Sequence, residues 1–280
     1  QGAEKNGYDP KKAEKLFDTM AEFAKYGFNK SHAAAYCVIS AQTAWLKHYY
    51  PVEFYAGLLS TEMNDTDKVV KYVKDAQKHD IEVLSPHINH SDYKFSVEGN
   101  KIFFSLGAIK GVGQSAVESI IESRNKLPHK KFESIEHFFE VIDLRKVNKK
   151  TVECLIKAGA FDGFGANRAE LMNGYGKFID RAEQMKKDKE NGQVSLFSVD
   201  ESVQNEEKVV LERLDPWPRS VALENEKSVL GFYLSDHPLS GIDHLVRIWT
   251  TGPISELSKK ENKSKVQSVG LISSFREVIT

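Results

Sequence analysis

The run Tyr26-Gly27-Phe28-Asn29-Lys30-Ser31-His32-Ala33-Ala34-Ala35-Tyr36 places aromatic rings, an amide and a cation on a glycine-broken turn that leads straight into a small-residue helix. Ser31 is a good N-cap for that helix, because its hydroxyl accepts an orphan backbone N–H. With Lys30 and His32 beside it, the helix N-terminus is suited to a phosphate. An ordinary capped core helix fits the same residues equally well. A second run, Ile109-Lys110-Gly111-Val112-Gly113-Gln114-Ser115-Ala116, has the form of a helix-hairpin-helix. Its two glycines let the backbone turn tightly and approach a phosphate with no Cβ between them. The amides opening the next helix then bond the phosphate oxygens, and Lys110 and Ser115 add contacts. Contacts of this kind position a duplex and carry no sequence information. A third run, Gln193-Val194-Ser195-Leu196-Phe197, sets a Leu-Phe pair in a polar stretch without helical periodicity. Such a pair either caps the preceding helix or serves as the apolar anchors of a peptide seated in a partner's groove.

Two other groupings have the spacing of metal ligands without the setting. Asp65-Thr66-Asp67 has the spacing of a polymerase metal pair, but it lies between Asn64 and Lys68 and opens an amphipathic helix, which makes it a cap. His87 and His90 lack an accompanying cysteine or carboxylate cluster, and a loop role is expected.

The elements that must hold these residues are mostly helices. The spacing predicts helices over 10–25, with Leu16, Phe17, Met20, Phe23 and Ala24 on one face, over 31–50, apolar nearly all round and so buried, and over 51–62. A fourth starts at Asp65 or Thr66. Tyr93, Phe95 and Val97 alternate with polar residues, Glu98-Gly99-Asn100 turns, and Ile102 to Phe104 returns, which is a small β-hairpin. The glycine run at 111–113 with a following helix that carries Ala116, Val117, Ile120 and Ile121, helices near 133–142 and 148–158, a looser glycine turn at Gly163-Phe164-Gly165 and a helix over 167–189 make two helix–glycine turn–helix units in tandem. Residues 186–218 read mostly as charged linker, 221–240 as helix, and 265–280 as a strand cut off inside its domain.

Composition sets the outer limits. The 280 residues allow two or more cores, and 40% hydrophobic with 28% charged is ordinary for a soluble chain. No apolar run reaches the length of a membrane span, and no signal peptide opens the sequence, which starts at Gln1 and reads as an excised segment. Cys37 and Cys154 read as buried, reduced cytosolic thiols. The net charge of −1 argues against a uniformly basic nucleic-acid binder, although acidic residues crowd Asp200 to Glu212 and leave the earlier part relatively basic.

The residues 26–36, followed by Gln42-Thr43-Ala44-Trp45-Leu46-Lys47 and Tyr50-Pro51-Val52-Glu53-Phe54, closely resemble the fingers region of the bacterial replicative polymerases of the DNA polymerase III alpha-subunit family. The run Leu106-Gly107-Ala108-Ile109-Lys110-Gly111-Val112-Gly113 is similar to that family's tandem helix-hairpin-helix domain. Residues 193–197 match the sliding-clamp motif Gln-x-Ser/Asp-Leu-Phe. Asp215-Pro216-Trp217-Pro218 with Glu226 to Leu239 looks like the connector into its OB domain. The family usually has glycine where this chain has Asp236, which bears on whether a left-handed turn stands there.

The resemblance implies a mainly α fold in four parts. These are a helical fingers block over 1–80, a β-hairpin with the tandem helix-hairpin-helix domain over 81–185, a linker with clamp motif and helical connector over 186–262, and a truncated first OB-fold strand over 263–280. It implies template-directed DNA synthesis with Mg2+ held by palm carboxylates outside this chain and no metal bound by this segment, which alone should be inactive. Tyr26, Phe28, Asn29, Lys30 and His32 would face the incoming deoxynucleoside triphosphate or templating base. Lys110, Gly111, Gly113, Gln114 and Ser115 would grip primer–template DNA. Gln193, Val194, Ser195, Leu196 and Phe197 would bind the beta sliding clamp. Other holoenzyme subunits are implied partners and the cytoplasm the location. An error-prone alpha-like polymerase, a helix-hairpin-helix DNA-repair module and an interaction scaffold are the rival readings. The 26–36 run argues against the second, the clamp motif against the first, and the glycine hairpins against the third.

Overall fold

The computed structural model describes residues 2–25, 30–190, 209–252, 254–257, 259–272 and 276–277. It divides into two compact units, Gln1–Tyr55 and Ala56–Thr280. The first carries α1 (Gly2–Lys5), which packs on α2 (Pro10–Lys25), then α3 (Lys30–Tyr49) and the start of α4 (Pro51–Thr61). Proline opens both α2 and α4, where its missing N–H costs nothing. Helix α3 begins at Lys30, so Ser31 lies in its first turn and not before it as a cap.

The expected burial of α3 is not met. Tyr36, Val38, Ile39 and Trp45 are all half exposed or more, as are Leu16, Phe17, Met20 and Phe23 on the apolar face of α2. Apolar periodicity predicts burial only where another surface covers the stripe, and the described residues of this unit supply no such cover. Cys37, expected buried, is exposed on the same helix, whereas Cys154 is buried as expected.

The second unit contains α5 (Thr66–Gln77), β1 (Glu82–Leu84), β2 (Ser96–Glu98), β3 (Lys101–Phe103), α6 (Gln114–Lys126), α7 (Ile135–Val141), α8 (Lys149–Ala158), α9 (Arg168–Glu190), α10 (Arg219–Leu230), α11 (Asp243–Trp249) and α12 (Ile254–Leu257). The mainly α fold with a small sheet is therefore as the sequence indicates. The predicted hairpin is β2–β3, antiparallel with Val97 opposite Ile102, and β1 adds a parallel third strand in the order β1-β3-β2. At three residues, β1 is too short to show alternation.

Side-chain caps fix the helix starts, each meeting an amide the helix itself leaves open. Asp65 accepts from the Lys68 amide (3.2 Å), Ser134 from that of His137 (3.1 Å) and Asn148 from that of Thr151 (2.9 Å). Asp65 is thus committed as a cap. The core is aromatic: Phe132, Phe138 and Phe161 pack edge to face at 5.0–5.1 Å between centroids, and Phe139 stacks on Phe178 at 5.6 Å. Helix α8 sits at the centre, packed against α9 and α10.

The stretch expected as linker is structured at both ends. Helix α9 continues to Glu190, and residues 209–217 return along α9 as a strap. Leu211 of the strap packs where a side chain on Gly174 would stand, and Lys177 Nζ donates to the Val210 carbonyl (3.4 Å). A single extended segment laid on a helix has no period of its own, which hides it from sequence patterning. Helix α10 is likewise shorter than predicted, because Gly231 at φ +91° caps it. Asp236 is not left-handed: its carboxylate accepts from the His237 amide and from Arg219 Nε, both at 2.7 Å. Residues 264–272 carry no strand pairing and meet residue 251, where the Gln267 amide donates to the Thr251 hydroxyl (2.7 Å).

Candidate nucleic-acid interface

The first glycine hairpin is held from below and open above. Ile109 and Val112 are buried, while Lys110, Gly111, Gly113, Gln114 and Ser115 are exposed. The apolar pair thus anchors the turn and leaves the intervening backbone at the surface. The Lys110 amide donates to the Val229 carbonyl of α10 (2.8 Å). Gly111 stands at φ +85°, and a Cβ there would come within 2.8 Å of Cys154 Sγ on α8. This glycine serves both the turn and a close helix approach. Gly113 is different. Its φ is −75°, it is the N-cap of α6 with no side-chain hydrogen bond, and a Cβ there would meet nothing within 4 Å. The amides of Gln114 and Ser115 have no partner among the described residues, so the positive end of a 13-residue helix faces outward. The Gln114 side chain, by contrast, is engaged along the helix, donating to Glu118 (2.7 Å).

The second glycine turn ends at a closed helix start. Asn167 Oδ1 accepts from the amides of Ala169 (2.9 Å) and Glu170 (3.0 Å), and the Glu170 carboxylate accepts the Asn167 amide (2.9 Å). This is a reciprocal capping box, with asparagine in the place usually taken by serine or threonine. Glu170 is buried, and the strap lies on it: Asn167 Nδ2 donates to the Leu214 carbonyl (2.8 Å). The Asn167 side-chain oxygen therefore takes first-turn amides of the kind that α6 leaves open, and the buried Glu170 carboxylate closes the cap. Arg168 is also spoken for, with Nε 3.0 Å from the Asp162 carboxylate.

Sequence reasoning missed the residues that lock the two hairpins together. Arg124, almost fully buried, donates to the carbonyls of Ile88 (3.0 Å) and Ser91 (2.7 Å) and to the Asp92 carboxylate (2.5 Å). Its signal was present, since it continues the spacing of Ala116, Val117 and Ile120 along the buried face of α6. Asn89 exchanges two hydrogen bonds with the main chain of Phe132 (2.8 and 2.9 Å). His87 and His90 sit in this same loop, with ring centroids 4.8 Å apart, and His90 pairs with Glu98 at 2.8 Å. His87 Nδ1 accepts the Asn89 amide (3.0 Å), and the ring faces the second turn, its centroid 6.2 Å from that of Phe164.

Burial, and then the neighbouring His90, hold His87 below the ordinary histidine value. Its folded pKa being lowered, the unfolded chain takes up the proton first. The stability tied to neutral His87 is thus present above about pH 6.5 and is lost as pH falls through the folded value. The expected result is a His87 ring that titrates below pH 6.5 by NMR. A His87→Asn variant should lose less thermal stability than the natural chain between pH 6.5 and 5. A ring titrating at or above 6.5 would contradict this.

Of the other sequence-derived site residues, Tyr26, Phe28 and Asn29 lie outside the described residues, as do Gln193, Val194, Ser195, Leu196 and Phe197. Lys30 is the first residue of α3. His32 is exposed, its ring 4.4 Å from that of Tyr36. Among the described residues no group of three His, Cys, Asp or Glu converges on a metal-sized site, and no helix is long and apolar enough to cross a membrane.

Comparison with known proteins shows what this chain is similar to. A family profile described as a helix-hairpin-helix motif matches residues 80–171. The curated protein "DNA polymerase III subunit alpha" of Vibrio cholerae is 38% identical over 281 aligned residues, covering all of this chain and 24% of the relative. The protein of the same name from Escherichia coli K12 is 38% identical over all of this chain and 24% of the relative. That of Xylella fastidiosa is 44% identical over 85% of this chain and 20% of the relative. The chain spans about a quarter of the length of the curated relatives it matches.

Proposed function

We propose that this chain, related over its whole length to one segment of bacterial DNA polymerase III subunit alpha, grips the primer–template duplex and tethers the polymerase to its sliding clamp. The observation that carries the duplex role is the open start of α6. Exposed Gly111 and Gly113 admit a phosphate to the backbone, and the amides of Gln114 and Ser115 stand ready to donate to it. Lys110 adds a positive charge to the same hairpin, its ammonium lying toward Gly231 at the end of α10.

The remaining assignments follow the relatives. The parent activity is DNA-directed nucleotidyl transfer in chromosome replication in the cytoplasm. Divalent metal, taken as Mg2+, would support that step when bound, and its ligands are assigned by the family resemblance to carboxylates outside this chain; Asp65 serves as a helix cap. On the same reading the segment alone is inactive. Tyr26, Phe28, Asn29, Lys30 and His32 serve the incoming deoxynucleotide or templating base, with Lys30 as a point charge on phosphate. Residues 193–197 bind the clamp, alongside contacts of the parent subunit with the rest of the holoenzyme. The flanks of 191–208 both lie on α9, which ends at Glu190 and receives the strap at Val210 and Leu211. The described residues on either side of that motif belong to the same domain as the first hairpin.

The duplex role predicts weak, sequence-independent binding, with Kd on the order of 10⁻⁴–10⁻⁶ M and a linear fall in log affinity with log salt. Gly113→Ala should cut affinity about tenfold, because its Cβ stands between backbone and phosphate, while leaving the thermal midpoint unchanged. A fluorescence titration of mixed-sequence duplexes at several salt concentrations reads the affinities and the salt slope, and a thermal melt reads the midpoint. Strong sequence preference, or affinity indifferent to salt, would sink the proposal.

A further inference from the structure

Beside the first hairpin lies a cleft of about 650 Å³ whose walls come from different parts of the chain. Lys110, Lys227, Ser220, Glu224, Gly231 and Tyr233 contribute to its lining. Lys110 is the residue just before Gly111, yet its Nζ reaches to 3.0 Å from where a Cβ on Gly231 would stand, at the C-terminal end of α10. Lys227 comes from the last turn of α10, and its Nζ lies 4.8 Å from the centre of the Tyr233 ring. Two ammonium groups that are far apart in sequence thus converge on one hollow.

The geometry is built and not incidental. Glu226, fully buried, accepts the amides of Leu234 (2.6 Å) and Ser235 (2.9 Å) through one carboxylate oxygen. That fixes the turn after Gly231 and so places Tyr233 in the cleft. Tyr233 in turn holds Lys227 by a cation–π contact, which orders the side chain before any ligand arrives. The Lys110 amide bonded to the Val229 carbonyl ties the hairpin to the same helix. Both ammoniums also favour the negative end of α10. That effect explains their presence at a helix end, but neither the hollow between them nor the continuity with the hairpin. Two like charges lining one solvent-filled cleft repel each other, and an anion relieves this.

The geometry points to a second phosphate subsite for the same DNA, formed by Lys227 with Lys110 and supported by Tyr233, adjoining the site at the start of α6. Its ligand is a phosphodiester of the strand that crosses the first hairpin. The inference rests on the duplex reading above and deepens it by adding α10 to the DNA path. Glu224 is the opposing charge in the cleft and weakens the site.

The test uses the full chain with a short mixed-sequence duplex, titrated at several salt concentrations. Lys227→Gln should lower affinity about three- to tenfold at 0.1 M salt and reduce the magnitude of the salt slope by about 1, the loss of one phosphate contact. Lys227→Arg should restore both. Glu224→Gln should tighten binding by a few fold, a result that a purely helix-stabilising Lys227 does not give. Circular dichroism and thermal midpoints check that each variant folds. If Lys227→Gln and Glu224→Gln bind as the natural chain does while Gly113→Ala is weakened, the cleft inference is overturned and the hairpin reading stands. If the natural chain shows no salt-dependent duplex binding, both are overturned.

Discussion

Gly111→Ala is expected to destabilise the second unit by about 2–5 kcal/mol, the largest effect of any single methyl addition to the hairpin. Two costs add. A residue with a Cβ held at φ +85° pays about 1–2 kcal/mol of left-handed strain. The new methyl also meets Cys154 Sγ at 2.8 Å in a packed interior, where overpacking costs about 1–3 kcal/mol. The two are separable. Replacing Cys154 with alanine relieves the overlap and leaves the strain, so the pair should show a favourable coupling of about 1 kcal/mol or more in a double-mutant cycle. Urea unfolding of the four chains measures it. Additive costs would mean that the hairpin does not press on α8 as the structure has it. The contrast with Gly113→Ala, expected to be silent in stability and harmful in binding, would separate the glycine needed by the fold from the one proposed to admit a phosphate.

That division was half legible in the sequence. The Gly-x-Gly spacing flanked by Ile109 and Ala116 announces a hairpin between helices, and the apolar stripe along α6 announces its buried face. Nothing in the spacing says which glycine has positive φ or faces Cys154, because that contact spans 43 residues of chain. The closed state of the second turn was hidden for a similar reason. The Asn167–Glu170 box can be read locally, but the strap that lies on it comes from Leu214, beyond a charged stretch with no period. Conversely, the apolar pattern of α3 indicates its helix but not its burial, since Val38, Ile39 and Trp45 are exposed. Periodicity reports what a helix face prefers, not whether a neighbour is present to satisfy it.

Loss of the clamp tether is the second large effect. Replacing Gln193, Leu196 and Phe197 together with alanine should abolish clamp-stimulated processivity in the complete polymerase. Each apolar anchor gives up roughly 1.5–3 kcal/mol of burial, and the pair therefore about 3–6 kcal/mol, or about 10²–10⁴ in Kd. A peptide contact of micromolar strength does not survive that. Synthesis on short primed templates without clamp should stay at the natural rate, because the variant leaves the hairpin and the helices untouched. Because residues 190 and 210 are both fixed on α9, lengthening the tether inside 198–208 with a glycine–serine insert should leave clamp affinity intact. It should weaken only the coupling between clamp and duplex. Normal processivity in the triple variant would place the clamp contact elsewhere.

The account turns on one asymmetry: the start of α6 is open to a phosphate and the start of α9 is filled by its own side chains. Duplex affinity of Ser115→Glu against that of Ala166→Glu, the residue just before the Asn167 cap of α9, at equal salt, tests it most directly. A carboxylate in the first turn of α6 suits the helix dipole and should not harm folding, yet it stands where the phosphate must come. The account predicts at least a tenfold loss for Ser115→Glu and a change within twofold for Ala166→Glu. Equal losses in the two variants, or full affinity in Ser115→Glu, would contradict it.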